Sequence, residues 1–249
     1  MSQQSVASQD AKSRNLARMW PAFVNIERRI QTEGPFVLDH LPSKARTVFD
    51  SCLGCGATSI YLIRAGAMVV SNELDPEMLS VALEESRKRD VSLRTTSYDW
   101  RNLPKAFFKK FAALTCLGNS ITLLHERTDQ LSALRNFHSL LMDDGVLIID
   151  ERNYPRMLLG EFFHSGKFVY HGVDKISCRA VLVTDRLAVL EYADIMTGVR
   201  GYLEMYPFKR GELRSLLVEA GFRNIREFGD YHEKFDDGKI EFFTYVAEK

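Results

Sequence analysis

Asp50-Ser51-Cys52-Leu53-Gly54-Cys55-Gly56 stands between an apolar run and a helical pattern, and Glu73 follows 17 residues after Gly56. Glycines at the mouth of a strand let the backbone approach a ligand closely, and a helix opening behind them presents unpaired N–H groups. The third glycine of a dinucleotide fingerprint would fall at Ser59, which disfavours pyrophosphate binding. An acid at the end of a second strand, here Glu73, is placed to accept both hydroxyls of a ribose; its plain alternative is merely to precede the helix cap Asp75. Asp99 and Trp100 follow a third expected strand, where Asp99 would accept from an adenine amino group. Trp100 taken alone reads as a core or rim packing residue. The chemistry these residues suit is the binding of a nucleoside.

Such side chains converge only if strand ends share one rim. Thr47–Asp50, Met68–Asn72, Leu93–Ser97, Phe111–Leu117 and Val146–Ile149 read as strands, the last ending at Asp150. Helical patterns lie between them, from Ala57 to Ala65, from Pro76 to Arg89 behind the cap Asp75, and from Gln130 to Leu141, with Gly145 as breaker. This alternation predicts a mostly parallel α/β sheet with right-handed crossovers and ligand-binding loops along one edge. Before the first strand, Leu16, Met19, Trp20, Phe23, Ile26 and Ile30 mark one face of a helix over 15–30, and Pro35–Leu41 forms a second short amphipathic segment. After Asn153 the pattern changes to sequential strands, Phe168–Tyr170, Ile176–Thr184, Leu187–Ile195 and Gly201–Tyr206. They predict an antiparallel lid inserted after the fifth strand. The expected division is a helical segment 1–45, a core 46–152, a lid 153–207 and a return to the core over 208–249.

Lys plus Arg and Asp plus Glu balance at 33 each, so no overall field gathers nucleic acid or a membrane surface. The four cysteines are few for 249 residues and read as reduced thiols in a cytoplasmic protein. Cys52 and Cys55 form a C-x-x-C, but no second pair stands at ligand spacing, so no metal is expected. There is no apolar stretch of spanning length and no leader-like start. A small-molecule substrate is the partner these features leave, with homo-oligomerisation left open.

Asp50, Gly54, Gly56, Glu73 and Asp99 together resemble the cofactor loops of class I S-adenosylmethionine-dependent methyltransferases, whose first motif D-x-x-x-G-x-G this chain matches. Two further segments, Cys116-Leu117-Gly118-Asn119-Ser120 and Ile149-Asp150-Glu151-Arg152-Asn153-Tyr154, resemble the glycine N-methyltransferases and the bacterial glycine/sarcosine N-methyltransferases, from about Trp20 to the end of the chain. The resemblance implies a Rossmann-like fold and S-adenosylmethionine as methyl donor. It further implies that Arg29 grips the cofactor's carboxylate and that Leu117 borders the cofactor, with Trp20, Cys52, Leu74 and Trp100 also around it. Asn119 and Arg152 would hold the substrate carboxylate, and Tyr170 and Tyr206 would line the pocket for the amine. Two departures stand near that pocket. The first sixty residues hold no tyrosine, and Leu123 takes a place where a histidine is frequent.

Methyl transfer is an in-line displacement at an activated carbon, so alignment and exclusion of water matter more than an acid or a metal. The function implied is N-methylation of a small amino acid or related nitrogen metabolite. Two alternatives stay open. An O- or C-methyltransferase of secondary metabolism on the same fold would call for a base such as His125, His164 or His171; a non-catalytic cofactor-binding protein would show a blocked pocket.

Overall fold

The computed structural model describes residues 15–42, 46–158 and 175–249. Residues 15–23 form helix α1, and the chain then breaks at Asn25, whose side chain accepts from the Arg28 amide and caps α2 (Ile26–Asp39). The expectation of one helix over 15–30 and a separate segment from Pro35 is corrected here. A side-chain cap splits the apolar stripe, and α2 continues through Pro35 because Phe36 and Val37 bury against the sheet. Gly34 lets α2 press onto α3 (Ala57–Arg64): a Cβ there would stand 2.3 Å from the Tyr61 ring.

β1 (Thr47–Asp50), β2 (Met68–Asn72), β3 (Arg94–Thr96), β4 (Phe111–Cys116) and β5 (Leu141–Arg152) are parallel, with α4 (Pro76–Arg87) and α5 (Arg127–Leu140) among their crossovers. Gly145 does not end a helix as the sequence pattern suggests. α5 stops at Leu140, β5 starts at the next residue, and Gly145 lies within the strand next to an irregularity in its pairing with β4.

After a short α6 (Tyr154–Leu158), β6 (Ile176–Val183), β7 (Ala188–Asp194) and β8 (Arg200–Met205) build a separate antiparallel sheet, the inserted lid. The expected strand 168–170, and Tyr170 with it, lie outside the described residues. α7 (Glu212–Glu219), β9 (Arg223–Gly229) and β10 (Phe242–Glu248) complete the core, giving the order β3-β2-β1-β4-β5-β10-β9 with β10 antiparallel to both neighbours. The order reverses between β1 and β4, the crevice where ligands settle in open α/β sheets.

Each face of the large sheet is covered. Phe49, Leu114 and Ile149 pack with Leu134 and Phe137 of α5 and Leu213 and Leu217 of α7; Val48, Ala113 and Ile148 pack beneath Val37 and Leu62. A third cluster joins Met19 and Phe23 of α1 to Cys178, Leu190 and Met205 of the lid, and also to Cys55 and Ala57 of the glycine loop. The lid and α1 are thereby fastened over the carboxyl ends of the parallel strands. Gly201 permits this, because a Cβ at that position would lie 3.1 Å from the Leu16 amide nitrogen.

Candidate active site

The glycine loop is held by hydrogen bonds that explain each residue type in it. Asp50 is buried and accepts from Ser59 at 2.6 Å and Thr115 at 3.0 Å, tying the end of β1 to α3 and β4. Burial raises its pKa, partly offset by those two donors. Gly56 has φ +87° and precedes α3; a Cβ would meet Ile60 at 3.3 Å. Gly54 also lies in the left-handed region, at φ +54°, yet a Cβ there would meet nothing nearer than the Cys52 carbonyl at 4.0 Å. Open space therefore stands above Gly54, and Ser51 Oγ, three residues before it, is buried with no hydrogen-bond partner among the described residues.

Glu73 closes one side of this space. Its carboxylate accepts from the Gly54 amide at 3.0 Å and the Asp75 amide at 3.1 Å, and burial raises its pKa against those donors. Leu74 beside it is 61% exposed, an apolar face turned to the rim. Asn72, just before, satisfies its whole amide. It donates to the Ser51 and Tyr98 carbonyls and accepts from Thr96 and the Tyr98 amide, so it fixes the third strand's loop against the first. Asp99 sits on that loop, with both oxygens engaged by Arg101, which also reaches Asp129. Trp100 donates to the Ser51 carbonyl at 2.8 Å and packs on the core, edge to face with Phe137.

Across the crevice, Cys52 Sγ lies 3.2 Å from both the amide and the carbonyl of Leu117, so Leu117 is anchored and buried. Arg29, from α2, ion-pairs with fully buried Glu33, which also accepts from Thr58 at 2.9 Å. Its guanidinium lies against the next loop, since a Cβ on Gly118 would stand 3.4 Å from Nη2. Burial raises the pKa values of Asp50 and Asp150, and the charge of Arg29 opposes that rise in part. Trp20 of α1 packs on Phe23 and Tyr192 and links the helix to the lid. Hydrogen bonds thus join Gly54 to Glu73 and Cys52 to Leu117, with exposed Leu74 beside the acid and the Arg29 guanidinium against Gly118. These residues fit a nucleoside bearing a charged amino-acid tail.

The end of β5 forms the neighbouring half of the site. Asp150 accepts from the amides of Gly118 at 3.0 Å and Asn119 at 2.6 Å; burial pushes its pKa up to about 7. Asn119, at φ +69°, is a knot: its Nδ2 donates to Tyr154 at 2.7 Å and faces Met205 Sδ at 3.2 Å, while its Oδ1 accepts from the Arg152 amide at 2.9 Å. The sequence reading placed Asn119 against a substrate carboxylate. In the structure its amide is spent on Tyr154, the lid strand β8 and the backbone of Arg152. The guanidinium of Arg152 lies 4.8 Å from the Phe242 ring centre. Tyr206 donates to Glu212 at 2.8 Å, and burial together with that carboxylate raises its phenol to about 12. His125 Nε2 lies 3.3 Å from the Glu204 carbonyl, and His164 and His171 fall outside the described residues.

A methyltransferase-domain profile matches residues 48–145. The chain is 36% identical over 231 residues to the glycine/sarcosine N-methyltransferase of Aphanothece halophytica, covering 92% of this chain and 86% of that one. It belongs to the glycine/sarcosine N-methyltransferase family. The glycine N-methyltransferase of Mus musculus is 29% identical over 74% of this chain and 68% of its own. An S-adenosylmethionine-dependent methyltransferase structure from Clostridium acetobutylicum ATCC 824 superposes with TM-score 0.71 at 18% identity, covering 94% and 95% of the two chains, and shares the fold. The family member described here is an S-adenosylmethionine-dependent methyltransferase. Among the described residues, no helix is long and apolar enough to cross a membrane.

Four supporting residues escaped the sequence reading. Glu33, Thr58, Asn72 and Tyr154 are polar groups buried to within a few per cent of complete exclusion from solvent. Tyr154 lies inside the motif Asp150–Tyr154 and carried a signal by position. The other three look like ordinary helix or strand residues until their partners are known.

Proposed function

We propose that this enzyme methylates the amine of a small amino acid, with the substrate carboxylate held by Arg152 in the cytoplasm of its host. The observation that carries this reading is the backbone of Arg152 fastened by Asn119 at the end of β5, at a junction where α6 and the lid strand β8 meet. An arginine whose backbone is fixed in that way starts its side chain from a set point, and its guanidinium offers a planar two-point grip on a carboxylate, which sets the direction of the amine beyond it. The names of the curated relatives support the same substrate class.

On this reading Glu73 receives the ribose hydroxyls, Leu74 lies along the adenine, Arg29 faces the cofactor's carboxylate, and Asp99 accepts from the adenine amino group from beside Arg101. The cofactor supplies a methyl group already activated by positive charge on sulfur. The protein's own residues then have three tasks. Arg152 orients the nucleophile, the lid and α1 keep water from the rim, and Tyr206 with Tyr170 steadies charge as it develops on nitrogen. The amine must lose its proton before attack, and no side chain is assigned as an obligate base.

A methyl-donor assay over a panel of amino acids, amidines and biogenic amines, with products read by mass, tests the proposal. Turnover confined to substrates with a free carboxylate is the expected result. Equal turnover of amines without one would overturn it.

A further inference from the structure

Asp99 caps a single 3-10 turn, Trp100–Asn102, by accepting from the Arg101 amide through Oδ1 at 2.8 Å. The side chain of the same arginine folds back on it: Nε lies 3.0 Å from Oδ1 and 3.2 Å from Oδ2, and Nη2 donates to Oδ2 at 2.6 Å. A carboxylate oxygen has two lone pairs. On Oδ1 both are engaged, by the amide and by Nε, whereas Oδ2 has one close donor and only the longer limb of a shared contact. Oδ2 is therefore the oxygen with room for a further donor, and the Asp99 side chain is 29% exposed. Arg101 is braced from its other end, where Nη1 donates at 2.8 Å to Asp129 in the first turn of α5. The same helix holds the turn through Asn136, which donates to the Trp100 carbonyl at 2.8 Å. The guanidinium thus stands between a core helix and the acid, and it sets the plane of the carboxylate.

Resting on the reading of Asp99 as acceptor for the adenine amino group, we infer that Arg101 is a positioning residue for the base of the methyl donor: its fork fixes Asp99 so that Oδ2 selects a 6-amino over a 6-oxo purine. The terminal torsion of a free aspartate is broad, so an unheld carboxylate on a surface loop would meet the base in many orientations. A charge-assisted fork narrows them to one. The contacts with Arg101 also hold the Asp99 carboxyl below its usual range, which keeps it an acceptor and never a donor. A 6-amino group donates to such an oxygen. A 6-oxo group sets a second acceptor against it, which loses the hydrogen bond and adds repulsion. The polar groups of Arg101 itself are directed at Asp99 and Asp129, so it acts through the acid and not on the base.

Calorimetry on the full chain with S-adenosylhomocysteine and its deaminated analogue, S-inosylhomocysteine, reads this selectivity as the ratio of two dissociation constants. The ratio reports the base alone, because a loosened loop weakens both ligands alike. We expect the wild type to prefer S-adenosylhomocysteine on the order of thirtyfold, the worth of one hydrogen bond to a charged group. Arg101→Ala removes a side chain that is 43% exposed, so the fold should persist. Its preference should drop to about fivefold or less as the carboxylate is released from the fork. Asp99→Asn keeps Oδ1 on the turn and puts an amide nitrogen in the place of Oδ2, so its preference should vanish or reverse toward the 6-oxo base. A wild-type ratio in Arg101→Ala, even with both ligands bound more weakly, overturns the inference and leaves Arg101 a structural residue of the loop. A wild type without preference, or Asp99→Asn with the wild-type ratio, removes instead the reading of Asp99 on which the inference rests.

Discussion

The carboxamide of Asn119 donates to the buried hydroxyl of Tyr154 across 2.7 Å, and in doing so fixes its own oxygen on the amide of Arg152. An asparagine amide is nearly symmetric in shape, so its orientation is decided by which partner can only accept and which can only donate. Here the Arg152 N–H can only donate, which puts Oδ1 on it and leaves Nδ2 for Tyr154, whose hydroxyl is in turn 3.3 Å from Thr122. The same contact reaches the lid through Met205. Loop, strand end, short helix and lid therefore share one knot.

Tyr154→Phe should leave Nδ2 of Asn119 without its best acceptor in a dry site. An unmet buried donor costs about 1–3 kcal/mol, which for a domain of this size lowers the melting temperature by several degrees. Arg152 loses its fixed backbone at the same time, so KM for the substrate should rise while the dissociation constant of S-adenosylhomocysteine stays close to wild type. Thermal melting and steady-state kinetics check both halves. A variant that melts early with unaltered KM would make Tyr154 a purely structural residue.

Glu73→Ala tests the opposite side of the crevice. Removing the carboxylate deletes the proposed ribose contact and also leaves the amides of Gly54 and Asp75 to water. S-adenosylhomocysteine affinity by calorimetry should weaken roughly tenfold or more. Unchanged affinity would take Glu73 out of the site.

Arg152→Lys keeps the charge and loses the planar grip. If the substrate carries a carboxylate, misplacement of the amine by about an ångström should lower kcat/KM on the order of a hundredfold, with cofactor binding nearly intact. A loss of only a few-fold would mean that Arg152 serves chiefly as a partner for nearby acids such as Glu241.

Glu151 offers a pH-dependent test of stability rather than of catalysis. It is 2% exposed, accepts from Tyr245 at 2.7 Å, and has a second oxygen with no hydrogen-bond partner among the described residues. Burial, against the Tyr245 donor and Arg210, raises its pKa to about 8. A carboxyl whose pKa is higher folded than unfolded binds its proton more tightly in the native state. Its favourable contribution is complete below the unfolded value and disappears as pH rises through the folded one. Wild-type stability should therefore decline between about pH 4.5 and 8 on account of this group. Glu151→Gln, neutral at every pH, should match the wild type near pH 5 and exceed it above pH 8. Denaturant unfolding at the two pH values measures the difference, and a variant less stable than wild type at both would refute the assignment.

The alternation of strands and helices was legible from Thr47 to Asp150 because parallel strands buried on both faces are written as short continuous apolar runs. The glycine loop was legible because positive backbone angles at Gly54 and Gly56 leave few residue choices. Boundaries that depend on a single side chain were less so. Asn25 splits what periodicity joins at the N-terminus, and α2 passes through Pro35 because tertiary burial of its neighbours outweighs the local penalty.

The family resemblance, the position of each candidate residue along the chain and the presence of an inserted lid were fixed by sequence, since spacing, glycine placement and apolar period are properties of the chain itself. The partners of each polar group were not. Asn119 pairs with Tyr154, 35 residues on, and with Met205, 86 residues on; Glu33 reaches Thr58 across 25, and Tyr245 reaches Glu151 across 94. A hydrogen bond between distant residues depends on how helices and strands pack, and no local pattern encodes it. For that reason only the tertiary structure showed that Asn119, Trp100, Glu73 and Arg29 all spend their polar groups on partners within the fold.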